Sequence, residues 1–307
     1  MPRARLRSSS ARLLRRFGKS ATVVERAVDF TNTGYMLGIY PLGGRVLHAM
    51  GLHERYIAES QVTRTYSLWN SRGRHVKDYS FENFAADYGP YQMLSRGKLI
   101  ELLMSASGET TVRTDTTVVS LAQRNDEVQI RFSDGSEEIF DLVVAADGMF
   151  SSTREMVFGE TPLRRTGWGG WIWWSDAEIE HHDTVSEYWS TGSFLGVYPT
   201  LDRSGVFLGG PNTSLETADG QAIASFAEKH FGNAGGAARG VISSLEQEPK
   251  QFYWELLDVR STDWIKGRVV LLGDAAAGFL PTAGIGAPSR STSNRIGGTG
   301  RSRSHRS

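Results

Sequence analysis

The sequence predicts an α/β protein into which a mostly antiparallel sheet is inserted, on three observations. Apolar runs at Thr22–Val24, Ile139–Ala146 and Arg268–Leu272 are each followed by a carboxylate or a glycine, as buried strands that end in a loop are. Stretches between them have apolar residues at helical spacing. Residues 165–260 instead hold six of the eight tryptophans and short alternating runs, which are typical of an antiparallel sheet.

The first elements follow from short-range patterns. Thr22–Val24 is β-branched at every position and predicts a buried strand, with Glu25 at its carboxyl end. Apolar residues on one helical face predict a helix over residues 42–52, which a glycine ends. A second helix is predicted over residues 97–104, directly after Arg96.

Residues 117–146 predict three strands. The second, near residues 128–132, alternates strictly between apolar and polar side chains, and residues 133–136 predict a hairpin turn after it. Ile139–Ala146 is apolar except for Asp141 and predicts one strand that is covered on both faces.

The tryptophan-rich region predicts antiparallel strands with one helix among them, over residues 221–231. Arg268–Leu272 predicts a last buried strand, which ends in Gly273 and Asp274.

Composition excludes several classes of function. The 307 residues include no cysteine, which excludes disulfides, iron–sulfur clusters, thiolate zinc sites and a cysteine nucleophile. No apolar run approaches the roughly 18 residues of a membrane-spanning helix. Lys and Arg (34) balance Asp and Glu (34), but residues 1–20 and 287–307 contain 12 bases and no acid, so residues 21–286 carry a net charge of −12.

The first motif that can carry chemistry is Asp147–Arg154, directly after a predicted strand. Gly148 lets the backbone approach a ligand, and Ser151 can cap a following helix. A helix N-terminus attracts phosphate, to which Arg154 adds positive charge. An ordinary strand–turn–helix corner explains this segment equally well.

The second motif is Gly273–Gly286, which also follows a predicted strand. Asp274 lies where open α/β sheets bind ligands, and its carboxylate can accept hydrogen bonds from sugar-like hydroxyls. Pro281, Gly284 and Gly286 keep the loop free of bulk beside a flat ligand.

Together these segments resemble the flavoprotein monooxygenase family of the aromatic-hydroxylase type. Asp147–Arg154 matches its D-G-x-x-S-x-x-R signature and Gly273–Gly286 its G-D…P…G-x-G signature, while Val23–Arg26 is similar to the end of its second strand. The resemblance implies that FAD binds Glu25, Arg26, Arg96, Asp147, Gly148, Arg154, Gly273, Asp274, Pro281, Gly284 and Gly286.

The resemblance also implies individual roles. Glu25 would hold the adenosine ribose, and Arg96 and Asp274 the middle of FAD. The loop at residues 284–286 would face the flavin edge, and Asp147 and Arg154 would serve the pyrophosphate and nicotinamide side. No residue is assigned a catalytic role.

The implied architecture is a Rossmann-like FAD-binding domain of the glutathione-reductase type with an inserted, mostly antiparallel substrate domain. The FAD-binding domain would comprise residues 12–60, 91–160 and 267–287, and the substrate domain residues 61–90 and 161–266. Residues 1–11 are an atypical basic N-terminus, and residues 288–307 read as a disordered Ser/Arg tail.

The sequence departs from the family at both ends. The family's G-x-G-x-x-G would fall near Pro2, Ala4 and Arg7, none of which is glycine, and no apolar helix follows Gly286. One hypothesis is that both basic ends are translated out of frame, which sequencing of the locus would test. A transit peptide and a nucleic-acid-binding tail are weaker alternatives.

An aromatic substrate wall is predicted at Trp171, Trp173, Tyr188 and Tyr198, with a plain sheet core as the alternative. No metal site is predicted, because the adjacent histidines at 181 and 182 would point to opposite faces of a strand.

The resulting expectation is a cytoplasmic FAD-dependent monooxygenase that uses NADH or NADPH and O₂ to hydroxylate a small organic substrate, with an aromatic ring as one option. It would bind neither nucleic acid nor a membrane through an integral segment. Two alternatives remain: a non-catalytic remnant that binds FAD poorly, and an FAD-dependent reductase of the same fold.

Overall fold

The computed structural model describes residues 18–29, 34–82, 89–106, 110–245 and 251–280. The helices are α1 (Pro41–Ala49), α2 (His53–Ala58), α3 (Arg96–Ser105), α4 (Ser152–Phe158), α5 (Asn212–Leu215), α6 (Gly220–Phe231) and α7 (Gly236–Ser244), with a 3₁₀ turn at Gly273–Ala275. The first ten strands are β1 (Thr22–Val24), β2 (Met36–Ile39), β3 (Gln61–Thr63), β4 (Thr65–Asn70), β5 (His75–Ser80), β6 (Tyr91–Ser95), β7 (Thr111–Arg113), β8 (Val118–Arg124), β9 (Glu127–Phe132) and β10 (Glu137–Phe140). The others are β11 (Val143–Ala145), β12 (Arg164–Ser175), β13 (Thr184–Ser190), β14 (Ser193–Pro199), β15 (Ser204–Pro211), β16 (Phe252–Arg260), β17 (Ile265–Lys266), β18 (Val269–Leu271) and β19 (Ala277–Gly278).

Two parallel strand pairs carry the predicted motifs. β1 pairs with β7, and β11 pairs with β18, so that Ala145 lies opposite Leu271. Carboxyl ends of parallel strands meet at one edge of a sheet, where α/β proteins bind ligands. The pairing of β11 with β18 therefore brings the loops after residues 145 and 271 side by side.

The predicted antiparallel sheet is confirmed. Eight strands form it in the order β19-β16-β12-β15-β14-β13-β4-β5. Every pair is antiparallel except β13 with β4, which is parallel. The sheet draws on residues 65–80 and 164–260, and its edge strand β19 lies within the second motif. The exact division into two domains stays a prediction.

The two faces of this large sheet pack against different partners. On one face, which we call the helix face, Trp173 and Leu195 pack against α6 and α7 through Phe231 and Val241. The other face we call the loop face. Its members include Ile172, Phe194, Tyr198, Phe207 and Trp254, and they pack against Tyr35, Met36, Leu37 and Leu280.

A smaller sheet in the order β2-β6-β3 packs against α1, α2 and α3. Leu47 of α1, Met50 and Leu102 of α3 are buried in this core. The helices predicted over residues 42–52 and 97–104 are thus confirmed, and Gly51 has the left-handed φ of 71° that suits a helix stop.

Two sequence predictions need correction. Ile139–Ala146 is not one buried strand: it divides into β10 and β11, and Ile139 is 61% exposed. β10 is instead the edge of an antiparallel sheet with β9 and β8, where one face is open to water. The tryptophan-rich region also contains α5 and α7 beside the predicted α6, and Ala238, Val241 and Ile242 of α7 cover the helix face.

Several predictions lie outside the described residues: the basic N-terminus at 1–11, the Ser/Arg tail, and the positions of Pro281, Gly284 and Gly286. Within the part of the chain that the structure describes, no helix is both long enough and apolar enough to cross a membrane.

The contribution of the helix face to stability can be tested at Trp173. Its side chain is fully buried, and its indole Nε1 donates a hydrogen bond of 3.2 Å to the carbonyl of Val241 in α7. Trp173→Ala is expected to lower the free energy of unfolding by roughly 3–5 kcal/mol, because it leaves a cavity in the core and removes one buried hydrogen bond. Denaturant unfolding measures this loss. Trp264→Ala, at a residue 38% exposed, is the control and should cost much less.

Candidate cofactor and substrate site

The first motif forms a closed corner between β11 and α4. Asp147 accepts hydrogen bonds from the Ser151 hydroxyl and, at 3.1 Å, from the backbone N–H of Thr153. Ser151 caps α4 by accepting a hydrogen bond of 2.9 Å from the backbone N–H of Arg154, which confirms the predicted cap. Gly148 has a φ of 88°, which a residue with a Cβ rarely adopts.

Arg154 joins this corner to the second motif. It is 1% exposed, and its guanidinium donates hydrogen bonds to the carbonyl of Met149 (2.8 Å) and to the carbonyl of Ala275 (3.1 Å). Burial lowers the pKa of Arg154, while the charges of Asp147 and Glu155 act in the opposite direction. The side chain nevertheless stays protonated, because arginine does not lose its proton in proteins.

The described part of the second motif is a tight turn after β18. Gly273 has a φ of 65°, and Asp274 and Ala275 are buried. A Cβ placed on Gly278 would lie 2.7 Å from the Met149 side chain, so the two motifs are in direct contact. The expected convergence of the two motifs is confirmed for the residues described.

A cavity of about 410 Å³ lies beside the ends of β1 and β11. Both strands line it, as do the predicted cofactor residues Glu25, Arg26 and Asp147. Its remaining walls are mixed: apolar side chains such as Val118, Ile130 and Phe132 alternate with polar ones such as Thr117 and Ser152. A concave site that combines apolar side chains with a few polar groups is typical of small-molecule binding.

Glu25 is the acidic group at one end of this cavity. It is 5% exposed, and its Oε1 accepts a hydrogen bond of 3.0 Å from the backbone N–H of Ala27. No described residue donates a hydrogen bond to Oε2. A carboxylate can accept about four hydrogen bonds, so Glu25 retains capacity for a hydroxyl in the cavity.

Arg96 opens α3 and is also buried. Its backbone N–H donates to the carbonyl of Tyr35 at 2.9 Å, and its side chain packs so closely on Gly34 that a Cβ there would lie 2.9 Å from it. Burial lowers the pKa of Arg96, and the charges of Tyr35 and Glu25 oppose that shift. Arg96 and Glu25 are therefore electrostatic neighbours, although Arg96 does not line the cavity.

The four predicted substrate residues separate onto the two faces of the large sheet. Trp171, Trp173 and Tyr188 belong to the helix face, among side chains of α6 and α7. Only Tyr198 lies on the loop face, where it packs in the cluster that contains Tyr35 and Leu280. The structure therefore brings only one of the four near the candidate cofactor residues.

One polar group on the loop face was not predicted from the sequence. Glu187 of β13 accepts hydrogen bonds from the hydroxyls of Tyr66 (2.5 Å) and Tyr198 (2.7 Å). Tyr66 and Glu187 are 121 positions apart and meet because β4 pairs with β13 in parallel. The alternation of β13 indicated which side chains share a face, but nothing local indicated that partner.

Buried carboxylates beside the carboxyl ends of parallel strands are typical of nucleotide-binding α/β proteins. Residues 8–288 match the family described as "FAD binding domain". The chain therefore belongs to this FAD-binding family.

Curated relatives have the same character. The chain is 26% identical over 282 residues to a "Flavin-dependent monooxygenase" of an unknown prokaryotic organism, covering 89% of this chain and 72% of the relative. It is 29% identical over 285 residues to the "3-amino-4-hydroxybenzoate 2-monooxygenase" of Streptomyces cremeus, covering 90% and 71%.

Solved structures share the fold. HpxO of Klebsiella pneumoniae, solved with FAD and uric acid, superposes with a TM-score of 0.83 at 22% identity, covering 92% of this chain and 74% of that one. The tetrameric form of 2-methyl-3-hydroxypyridine-5-carboxylic acid oxygenase gives a TM-score of 0.79 at 17% identity, covering 92% and 76%. The predicted α/β fold with its large inserted sheet is thus confirmed.

Arg154→Met tests the connection between the motifs. The change removes the donors to the Met149 and Ala275 carbonyls, so the free energy of unfolding should fall by about 1–3 kcal/mol. Limited proteolysis should also cut faster within residues 273–280. Arg165→Met is the control, because Arg165 is an exposed partner of Glu255 and should contribute less than about 1 kcal/mol. Equal effects of the two changes would contradict the assigned role of Arg154.

Proposed function

We propose that this chain uses NADH or NADPH and O₂ to hydroxylate a small organic substrate with an aromatic ring, with FAD bound along the edge formed by β1, β11 and β18. The observation that supports this most strongly is the contact between the two motifs through Arg154 and Ala275. It places two carboxylates, Asp147 and Asp274, on neighbouring loops of one parallel strand pair.

The residues present fit the adenosine end of FAD. Glu25 lines the cavity with one carboxylate oxygen that accepts no hydrogen bond from a described residue, as a ribose hydroxyl requires. Arg26 lies beside it in the same lining. The apolar side chains in the lining, such as Ile130 and Phe132, would contact the adenine ring.

Other residues would hold the rest of the cofactor. Arg96 is a buried cation at the start of α3 and would bind near the middle of FAD, together with Asp274. Asp147 holds the amino end of α4 in place through Ser151 and Thr153, and so shapes the pyrophosphate and nicotinamide side. Pro281, Gly284 and Gly286 would complete the flavin edge.

When bound, FAD would supply electron transfer from NADH or NADPH and activation of O₂. The protein's own contribution is position and polarity. The buried turn at Gly273–Ala275 would fix the loop that binds the cofactor, and the aromatic side chains of the loop face would exclude water from the site.

Relatives favour a ring substrate. The Streptomyces cremeus relative is named for 3-amino-4-hydroxybenzoate, and a relative of Pseudomonas aeruginosa, 27% identical over 204 residues, is named 2-heptyl-3-hydroxy-4(1H)-quinolone synthase. Both names describe small rings that carry hydroxyl groups. The loop face offers matching aromatic side chains, including Tyr198 and Phe194.

One sequence observation favours a second candidate, a non-catalytic remnant that binds FAD poorly. The positions where the family has its phosphate-binding glycines are Pro2, Ala4 and Arg7. Backbone N–H groups of such a loop normally cradle the pyrophosphate.

Two measurements separate the candidates. The absorbance spectrum of the full chain after incubation with FAD and removal of free cofactor should show bound flavin. Oxidation of NADH or NADPH should then depend on both O₂ and an added phenol. A colourless protein would support the remnant, and oxidation independent of the phenol would support the reductase.

Glu25→Ala tests the adenosine site. Loss of a charged acceptor for the ribose should raise the Kd for FAD at least about tenfold, since hydrogen bonds to charged groups are the stronger class. Quenching of FAD fluorescence measures this Kd. Glu54→Ala, at an exposed position of α2, is the matched control. A Kd within twofold of the unaltered protein for Glu25→Ala would place the adenosine elsewhere.

A further inference from the structure

Glu187 is a half-buried carboxylate ringed by aromatic donors. Its Oε2 accepts hydrogen bonds from the Tyr66 hydroxyl (2.5 Å) and the Trp189 indole N–H (3.0 Å). Its Oε1 accepts one hydrogen bond, from the Tyr198 hydroxyl at 2.7 Å. These donors come from three neighbouring strands, β4, β13 and β14.

The cluster lies where the large sheet meets the small one. Burial first, and the charges of Tyr40, Tyr56 and Glu187 next, raise the pKa of Tyr91 in β6, so Tyr91 is an electrostatic neighbour of Glu187. The Tyr91 ring stacks on Phe81 at 4.3 Å between centroids and meets the edge of Tyr40 at 4.8 Å. Tyr91 of the small sheet, with Phe81 and Tyr40 packed against its ring, therefore lies near the carboxylate of Glu187.

The charge of Glu187 acts on the two tyrosines that contact it. Burial, reinforced by Glu187, raises the pKa of Tyr66 and of Tyr198, so both phenols stay protonated and donate. A carboxylate has about four acceptor positions, and the described residues fill three of them. The position left is on Oε1, which accepts only from Tyr198.

This remaining acceptor is on the loop face, the side of the candidate cofactor residues. Tyr198 belongs to the same cluster as Tyr35, whose carbonyl accepts from the Arg96 backbone, and as Leu280 at the end of the described second motif. Gly196 leaves room for the Tyr198 ring, because a Cβ there would collide with it. Glu187 lies directly across from Gly196 in the β13–β14 register.

We propose that Glu187 is the specificity-determining residue for the ring substrate. Its Oε1 accepts a hydrogen bond from an N–H or O–H group of a neutral or cationic ring, and Tyr91 and Tyr198 wall that ring. Its charge disfavours a ring that carries a carboxylate at that position. This inference rests on the proposed function, because it deepens the substrate class of that site.

Three naphthalene probes of similar shape test the proposal on the full chain with FAD added. Equilibrium dialysis gives the Kd of 1-naphthol, which has a donor, of 1-methoxynaphthalene, which lacks one, and of 1-naphthoate, which is an anion. 1-Naphthol should bind about tenfold more tightly than the methyl ether, the usual size of a hydrogen bond to a charged group. 1-Naphthoate should bind most weakly.

Glu187→Gln should remove this selection while keeping the shape of the side chain. The preference for 1-naphthol should fall below about threefold, and 1-naphthoate should bind better than to the unaltered chain. Glu255→Gln is the matched control. Glu255 is a carboxylate of the same sheet and contacts Arg165 and Asn212. Its neighbour Trp254 lies on the loop face, so the Glu255 side chain lies on the other face. Its selectivity should stay within twofold of the unaltered protein.

Several results would overturn the proposal: no detectable binding of 1-naphthol, equal binding of naphthol and naphthoate to the unaltered chain, or unchanged selectivity in a folded Glu187→Gln variant. If that variant fails to fold, the binding of the three naphthalene probes to the unaltered chain still tests the proposal. The proposed function fails separately, when selective binding is present but NADH and NADPH oxidation is not.

Discussion

The contact between Arg154 and the turn at Gly273–Ala275 is the constraint on which the candidate site depends. A buried guanidinium has a high desolvation cost, and here it is hydrogen-bonded to two backbone carbonyls, those of Met149 and Ala275. Both carbonyls belong to turns that leave parallel strands. One side chain thus holds two loops in a fixed relation, which the strand pairing of β11 and β18 alone would leave adjustable.

The two faces of the large sheet differ in role: one packs a hydrophobic core, and the other carries the candidate substrate-binding groups. Its helix face is a dense aliphatic and aromatic core against α6 and α7, in which the indole N–H groups of Trp171 and Trp173 are hydrogen-bonded to backbone carbonyls. Its loop face meets Tyr35 and Met36, and also Leu280 of the second motif. Alternation along a strand sends neighbouring residues to these two environments, so Tyr188 and Glu187 have different roles although they are adjacent.

Two carboxylates of the candidate site share one hydrogen-bonding property. Glu187 joins three strands through two phenols and one indole, all of which donate hydrogen bonds to its half-buried carboxylate. Glu25 directly follows β1, where one of its oxygens accepts a hydrogen bond from a backbone N–H and a cavity lies beside the side chain. Each carboxylate retains capacity to accept a further donor, and this shared property makes them candidates for binding ligand hydroxyl or N–H groups.

The sequence by itself determined the elements and the motifs. Turn chemistry and periodic burial act over a few residues, so the strand before Glu25, the cap at Ser151 and the helix after Arg96 could be predicted locally. Tertiary structure alone decided which residues meet. Arg154 and Ala275, like Tyr66 and Glu187, are 121 positions apart, and strand pairing brings both pairs together. The same pairing placed Trp171 and Trp173 against helices and Tyr198 against the loops, because the partner of each face lies far away in the chain.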